Sequence, residues 1–180
     1  MSNDNLSPEQ QAMVAVWEAH VAAEFADHDL DKTMATMTSN PFVNHVAVMT
    51  GGAGDAAVRR FYATYFLPAH PRDTASAPIC RTVGRDRIVD ELHHSFTHDI
   101  EMPWILPGVP PTGRRIEIAV VAVVQFEGGK ISGERIYWDQ ASVLAQAGLI
   151  NPSGLPVTGA EAARKAADVR SEPSNALIYR

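Results

Sequence analysis

Two stretches of this 180-residue chain carry residue types that could do chemistry. In "GERIYWDQA", Gly133 to Ala141, two large aromatics run straight into Asp139 at what reads as a strand end. A carboxylate there either sits at a solvated rim or occupies a pocket where its charge has a task. In an apolar pocket, desolvation raises a carboxylic acid's pKa toward the range in which a general base works. Such a base can take a proton from carbon beside a carbonyl if a donor such as His98, Tyr137 or His45 stabilises the oxyanion. The other use of Asp139 is to cap a helix over "QASVLAQ", a position aspartate favours. The two uses are not exclusive.

The second stretch, "DELHHSFTHD", holds His93, His94, His98 and Asp99 and invites a metal reading. Strand geometry argues against it. Neighbours His93 and His94 point to opposite faces, and His94 and His98 lie about 13 Å apart at roughly 3.3 Å per residue. Ligands of one zinc sit about 2 Å from the ion, so no metal is expected. His98 then has two uses, as a water-satisfied polar residue at a strand end or as a proton donor. His20 reads as structural or surface, and His45 is open to either side of its short strand. "VAVMTGGAGDAAV" suggests a dinucleotide turn, but its glycines do not fit GxGxxG and no βαβ unit follows. Glycines that let the chain turn before a helix explain it.

The elements that must position these residues can be read from period and punctuation. Ser7-Pro8-Glu9-Gln10 is a capping-box start, and Met13, Trp17, Val21 and Phe25 recur at helical spacing to about His28. A short helix capped by Asp29 covers Leu30 to Met37, and Asn40-Pro41 breaks it. "FVNHVAVM" is extended, and a third helix after "GGAG" carries Val58, Phe61, Tyr62, Tyr65 and Phe66. The period then becomes that of strands: Ile79 to Val83, Arg87 to Thr97, the valine-rich "RRIEIAVVAVVQF", a turn at "EGGK", and Ile131 to Asp139. A short helix from Ser142 closes at Gly148. Residues 1–150 form one domain, and 151–180 an extension that packs on it or on a partner subunit. Helices first and then consecutive strands mean α+β: three helices on a curved, mainly antiparallel sheet, a cone around a cavity.

Composition bounds the partners. A net charge of −6 argues against nucleic acid, whose phosphates would repel it. One cysteine, Cys80, cannot form an internal disulfide. The polar start is no signal peptide, and no apolar run nears the roughly 18 residues of a membrane span. These features predict a cytoplasmic protein.

The region "LPGVPPTGRRIEIAVVAVVQFEGGKISGERIYWDQASVLAQAGLI" resembles the SnoaL-like polyketide cyclases of the nuclear transport factor 2-like superfamily. Its marks are the "G-x-P-P-T-G-R-R" turn, the hairpin, and "YWDQ" followed by a short helix. With the helical first third, the resemblance covers roughly Ser7 to Ile150. It implies a cone-shaped barrel and a cofactor-independent cyclase, isomerase or lyase. It also implies that Asp139 is the base and that His98, the nearest match to an assisting histidine, serves it, although "THD" departs from the usual surroundings. With Asp139 inward, Tyr137 shares its face, while Trp138, Ile136 and Glu134 fall on the outer face, which a second copy would cover as a homodimer. Trp17, His45, Tyr62 and Trp104 would meet a small apolar or polycyclic carbonyl compound, the "MPWILPG" loop covering the mouth. The runner-up chemistries are hydrolysis of an epoxide or lactone by water through Arg87, Asp90 and Asp139, and ligand binding without turnover.

Overall fold

The computed structural model describes residues 6–179. Helix α1, Pro8–Ala22, begins as its capping box dictates: Ser7 accepts from the Gln10 amide, and the Gln10 side chain accepts from the Ser7 amide. It runs on into a single wider π turn, Ala23–Asp27. Helix α2, Leu30–Ala35, is capped by Asp29. Strand β1, Met37–His45, starts before Pro41 rather than after it, and the pairing register shifts between Met37 and Phe42, the kind of irregularity at which a strand tolerates proline.

The glycine-rich stretch contains the edge strand β2, Thr50–Ala53. A side chain on Gly52 would meet the Ala57 carbonyl carbon at 2.7 Å, so glycine there lets strand and helix pack backbone to backbone. Helix α3, Asp55–Phe61, also widens into a π turn, Tyr62–Phe66. Strands β3, Ala75–Val83, β4, Arg87–Thr97, β5, Arg115–Glu127, and β6, Lys130–Tyr137, follow. Helix α4 spans Gln140–Gln146 and α5 Ala160–Ala167.

The six strands form one sheet in the order β2-β1-β6-β5-β4-β3, antiparallel except where β1 runs parallel to β6. Register fixes which side chains share a face. Glu134 pairs with Val124 and with Val43, and Ile136 with Ala122 and His45. On β4, Asp90 pairs with Ala122, Leu92 with Val120 and His94 with Ile118. Contacts of Trp17 on α1 with Asp90, and of Tyr62 in the π turn after α3 with Glu134, mark this as the inner face. The structure is thus α+β with three helices over the concave side of a mainly antiparallel sheet.

The opposite face carries Val121 and Val123, paired with Tyr137 and Arg135. Helix α5 lies against β4 and β5 on that side, with Ala163 buried and Arg164 3.7 Å from Glu117. Part of the outer sheet is therefore covered by the chain's own C-terminal segment. No helix among the described residues is long and apolar enough to cross a membrane.

Candidate active site

The cone encloses a cavity of about 690 Å³. Its wall includes Trp17, His45, Tyr62 and Trp104, the four residues that the sequence assigned to substrate contact. The rings of Phe25, Phe61, Phe66 and Trp138 add to the aromatic part of the lining, which also includes charged residues such as Arg72 and Arg81. Trp104 belongs to the wall more than to a flap. Its indole N–H donates to the Ala69 carbonyl at 3.0 Å, and its own carbonyl accepts from Thr50 at 2.8 Å. Met102, Ile105 and Leu106 beside it are buried core.

The sequence-assigned catalytic residues are not in this cavity. Asp139 is exposed and caps α4, accepting from the amides of Ala141 at 2.9 Å and Ser142 at 3.2 Å. Tyr137 is 41% exposed on the outer face. The face of β6 that turns inward is the other one, Glu134, Ile136 and Trp138, because the neighbouring inner residues of β5 and β1 stand opposite it. His98 is buried in the turn after β4, where its Nδ1 accepts from the Thr112 amide at 3.3 Å and its backbone pairs with Gly113 and Arg114. It braces that turn. Burial holds its pKa below the ordinary histidine value.

The hydrolytic trio is not assembled either. Arg87 is exposed and paired with Asp86. Asp90 does reach the cavity, but Arg81 grips it with two bonds of 2.7 and 2.8 Å, and the Trp17 N–H donates to it at 2.8 Å. Within the histidine stretch, His93 turns outward to Glu117 at 3.1 Å while His94 turns inward, as strand alternation requires.

What the cavity holds instead is a buried polar group assembled from three elements. His20, on α1, is fully buried, with Nε2 3.1 Å from Glu24, 3.1 Å from Glu134 and 3.2 Å from the Tyr62 hydroxyl. Tyr62 donates to Glu134 at 3.1 Å. The two π turns bring Glu24 and Tyr62 to this spot, one residue into the first and at the start of the second. On its other side, the ring of His20 meets the Thr36 hydroxyl at 2.6 Å. That hydroxyl donates onward to the Thr33 carbonyl, so it accepts from His20 and Nδ1 carries a proton.

Charge decides the rest. Burial opposes the imidazolium, but the two carboxylates outweigh it and raise the His20 pKa to about 10. Trp17 stacks on the ring, centroids 5.5 Å apart, a favourable place for a cation. Burial raises the Glu24 pKa, with repulsion from Glu134 adding to it against the pull of His20. Burial also raises Tyr62 well above its ordinary value. One imidazolium cannot neutralise two buried carboxylates, and burial favours the protonated form of Glu24. His20, Glu24 and Glu134 also offer ligand atoms within 4.8 Å of one another, enough to hold one cation.

Sequence reasoning passed over His20, Glu24 and Glu134. The i, i+4 spacing of His20 and Glu24 on one helix was a usable signal. Glu134 was visible only as the residue of opposite parity to Asp139.

The SnoaL-like domain model matches residues 17–134, a span that runs from the indole beneath His20 to Glu134 itself. No curated protein matches the sequence. Among solved structures, a protein described as a SnoaL-like polyketide cyclase from Jannaschia sp. CCS1 superposes with a TM-score of 0.66 at 18% identity, covering 82% of this chain and 99% of its own. The epoxide hydrolase/cyclase-like enzyme SalBIII of salinomycin pyran formation gives 0.54 at 20% identity, over 74% and 95% of the two chains. A protein of ketosteroid isomerase-like fold from Catenulispora acidiphila, bound to trimethylamine, gives 0.56 at 15% identity, over 78% and 97%. These likenesses concern the fold, while the domain match spans well over half of the chain and ends at Glu134 of the buried polar group; the chain belongs to the SnoaL-like family.

Proposed function

We propose that this protein is a small-molecule enzyme that moves a proton beside a carbonyl without a cofactor, within an aromatic cavity. The observation that carries this reading is a pair of buried carboxylates, Glu24 and Glu134, that share one buried histidine on the cavity wall. Glu134, facing the His20 imidazolium, takes the α-proton of a bound carbonyl compound. Its Oε1 is held by Tyr62 and His20. The C–H electron pair moves onto the carbonyl oxygen, to which Glu24, whose protonated form burial favours, donates. Return of the proton to another carbon gives an isomerase, and attack of the enolate on a second carbonyl within the same molecule gives a cyclase. The aromatic wall suits a flat, apolar or polycyclic substrate.

Deuterium exchange at the α-carbon of 2-tetralone in D2O, followed by NMR, tests this. The protein should accelerate exchange above buffer, and Glu134→Gln should lose about 10²- to 10⁴-fold of that rate. Exchange equal in the two proteins would exclude Glu134 as the base. Tight binding of the ketone with no exchange at all would instead support the second reading, a binding protein for such compounds, which the enclosed aromatic cavity also favours.

A homodimer remains part of the proposal on different residues from those expected. Trp138 and Ile136 line the cavity, whereas Val121, Val123 and Tyr137 give the outer sheet an apolar strip that is only partly covered. Sedimentation velocity should return twice the mass of the chain, and a concentration-independent monomer would exclude it.

A further inference from the structure

Five buried side-chain polar atoms lack a hydrogen-bond partner among the described residues: both ring nitrogens of His70, the Thr74 hydroxyl, His94 Nε2 and His98 Nε2. The last is in the turn after β4. The other four belong to residues that line the cavity. Folded proteins pair nearly all such atoms, since each one left alone retains its full cost of desolvation. Four on three residues in one place make a pattern.

His70 and His94 are neighbours, and Thr74 comes two residues before Ser76, the β3 residue paired with His94. His70 lies 4.9 Å from the ring of Phe25 and 5.7 Å from that of Trp104, and His94 lies 6.4 and 6.2 Å from the same two rings. His94 is only 5% exposed, and Ser76 holds its Nδ1 at 2.7 Å, which leaves Nε2 as its free atom. Phe66 stands between this group and the acid–base group, 4.6 Å from His70 and 5.6 Å from Tyr62.

The chemistry offered is specific. Burial brings both histidines down to about 4, so they are neutral near pH 7 and present no charge for an anion. A neutral imidazole with both nitrogens free supplies one donor and one acceptor, and a hydroxyl supplies both. The matching partner is a group that itself donates and accepts. We propose that His70, Thr74 and His94 form a binding subsite for a neutral hydroxyl or enol oxygen of the substrate, across Phe66 from Glu134. This deepens the proposed function, because it rests on the same cavity and names the substrate class: a flat carbonyl compound that also bears a hydroxyl or enol.

Calorimetric titration with 2-naphthol and with 2-methoxynaphthalene isolates the hydroxyl on one ring system. The naphthol should bind about 10-fold more tightly to the unmodified protein, the value of one good hydrogen bond at a dry site. Thr74→Val and, separately, His94→Leu should bring the two probes to within about 2-fold of each other. Both variants should also melt at or above the temperature of the ligand-free parent, since each removes an unpaired buried atom. Equal binding of the two probes by the parent, binding of neither, a preference that survives both variants, or a lower melting temperature in both would overturn the subsite. Loss of α-exchange in Glu134→Gln is read independently, so the subsite and the proton-transfer reading can fail separately.

Discussion

The two ends of the cavity treat their polar atoms in opposite ways. At one end His20, Glu24, Tyr62 and Glu134 bond to one another, and His20 is tied back through Thr36 to the Thr33 carbonyl. At the other, His70, Thr74 and His94 leave four atoms with no partner among the described residues. Both ends are enclosed by aromatic side chains, so the difference lies in what compensates burial. Charge pairing holds an imidazolium at the first end, while its absence leaves the histidines neutral at the second. A network that satisfies itself keeps its geometry without a ligand, whereas an unsatisfied one leaves bonding capacity for a molecule that enters the cavity.

The largest effect should come from breaking the satisfied end. His20→Leu leaves the buried Glu24 and Glu134 side chains without their cationic partner and should cost about 3–5 kcal/mol, the usual penalty for removing one partner of a buried pair. Urea denaturation measures it. The variant with His20, Glu24 and Glu134 all changed to Leu removes charge and counter-charge together and should regain most of that loss. If it is as unstable as the single variant, shape and not charge holds this end together.

The pH dependence should separate the ends by sign. His20 titrates near 10 in the folded chain against 6.5 when unfolded. Between those values the folded state keeps a proton that the unfolded chain has released, so stability falls as pH rises through that window. Glu24, also raised, acts in the same direction starting from the carboxylate range. His45, His70 and His94 are depressed to about 4 by burial. Between 6.5 and 4 the unfolded chain takes up protons that they refuse, so stability falls as pH drops. Urea midpoints at pH 4.5, 6.5 and 9 should therefore peak at the middle value. His94→Leu should flatten part of the acid limb, to which His98, also lowered by burial, contributes as well, and His20→Leu the alkaline limb. The reverse assignment would break the comparison.

Much of the fold was legible because local signals agreed with each other. The Ser7 capping box, the Asp29 cap and the valine-rich β5 appear where their chemistry puts them. Alternation along β6 correctly divided its residues into two sets, but it could not say which set faces in. That depends on partners far along the chain, since Glu134 pairs with Val124 and Val43. β5 offered no guide, because Ala119 to Val124 is apolar on both faces. The unsatisfied end was unreadable for a related reason. His70 is in a loop and His94 on a strand, and only the fold places both against Phe25 and Trp104.

Asp139 supplies the smallest effect and a useful control, since it is a carboxylate at neither end. Its oxygen accepts from two amides at the start of α4, a task that depends on an acceptor and not on a negative charge. Asp139→Asn should therefore keep both stability and α-exchange close to the parent. Asp139→Ala removes the acceptor and should cost about 1 kcal/mol in a urea titration while leaving exchange intact. Glu134→Gln should give the opposite result, with exchange lost and the urea midpoint changed by an amount that does not track it. The pair of variants thus asks which strand parity carries the chemistry. Exchange abolished by Asp139→Asn and retained by Glu134→Gln would return the role to the outward-facing acid and sink the assignment made from the inner face.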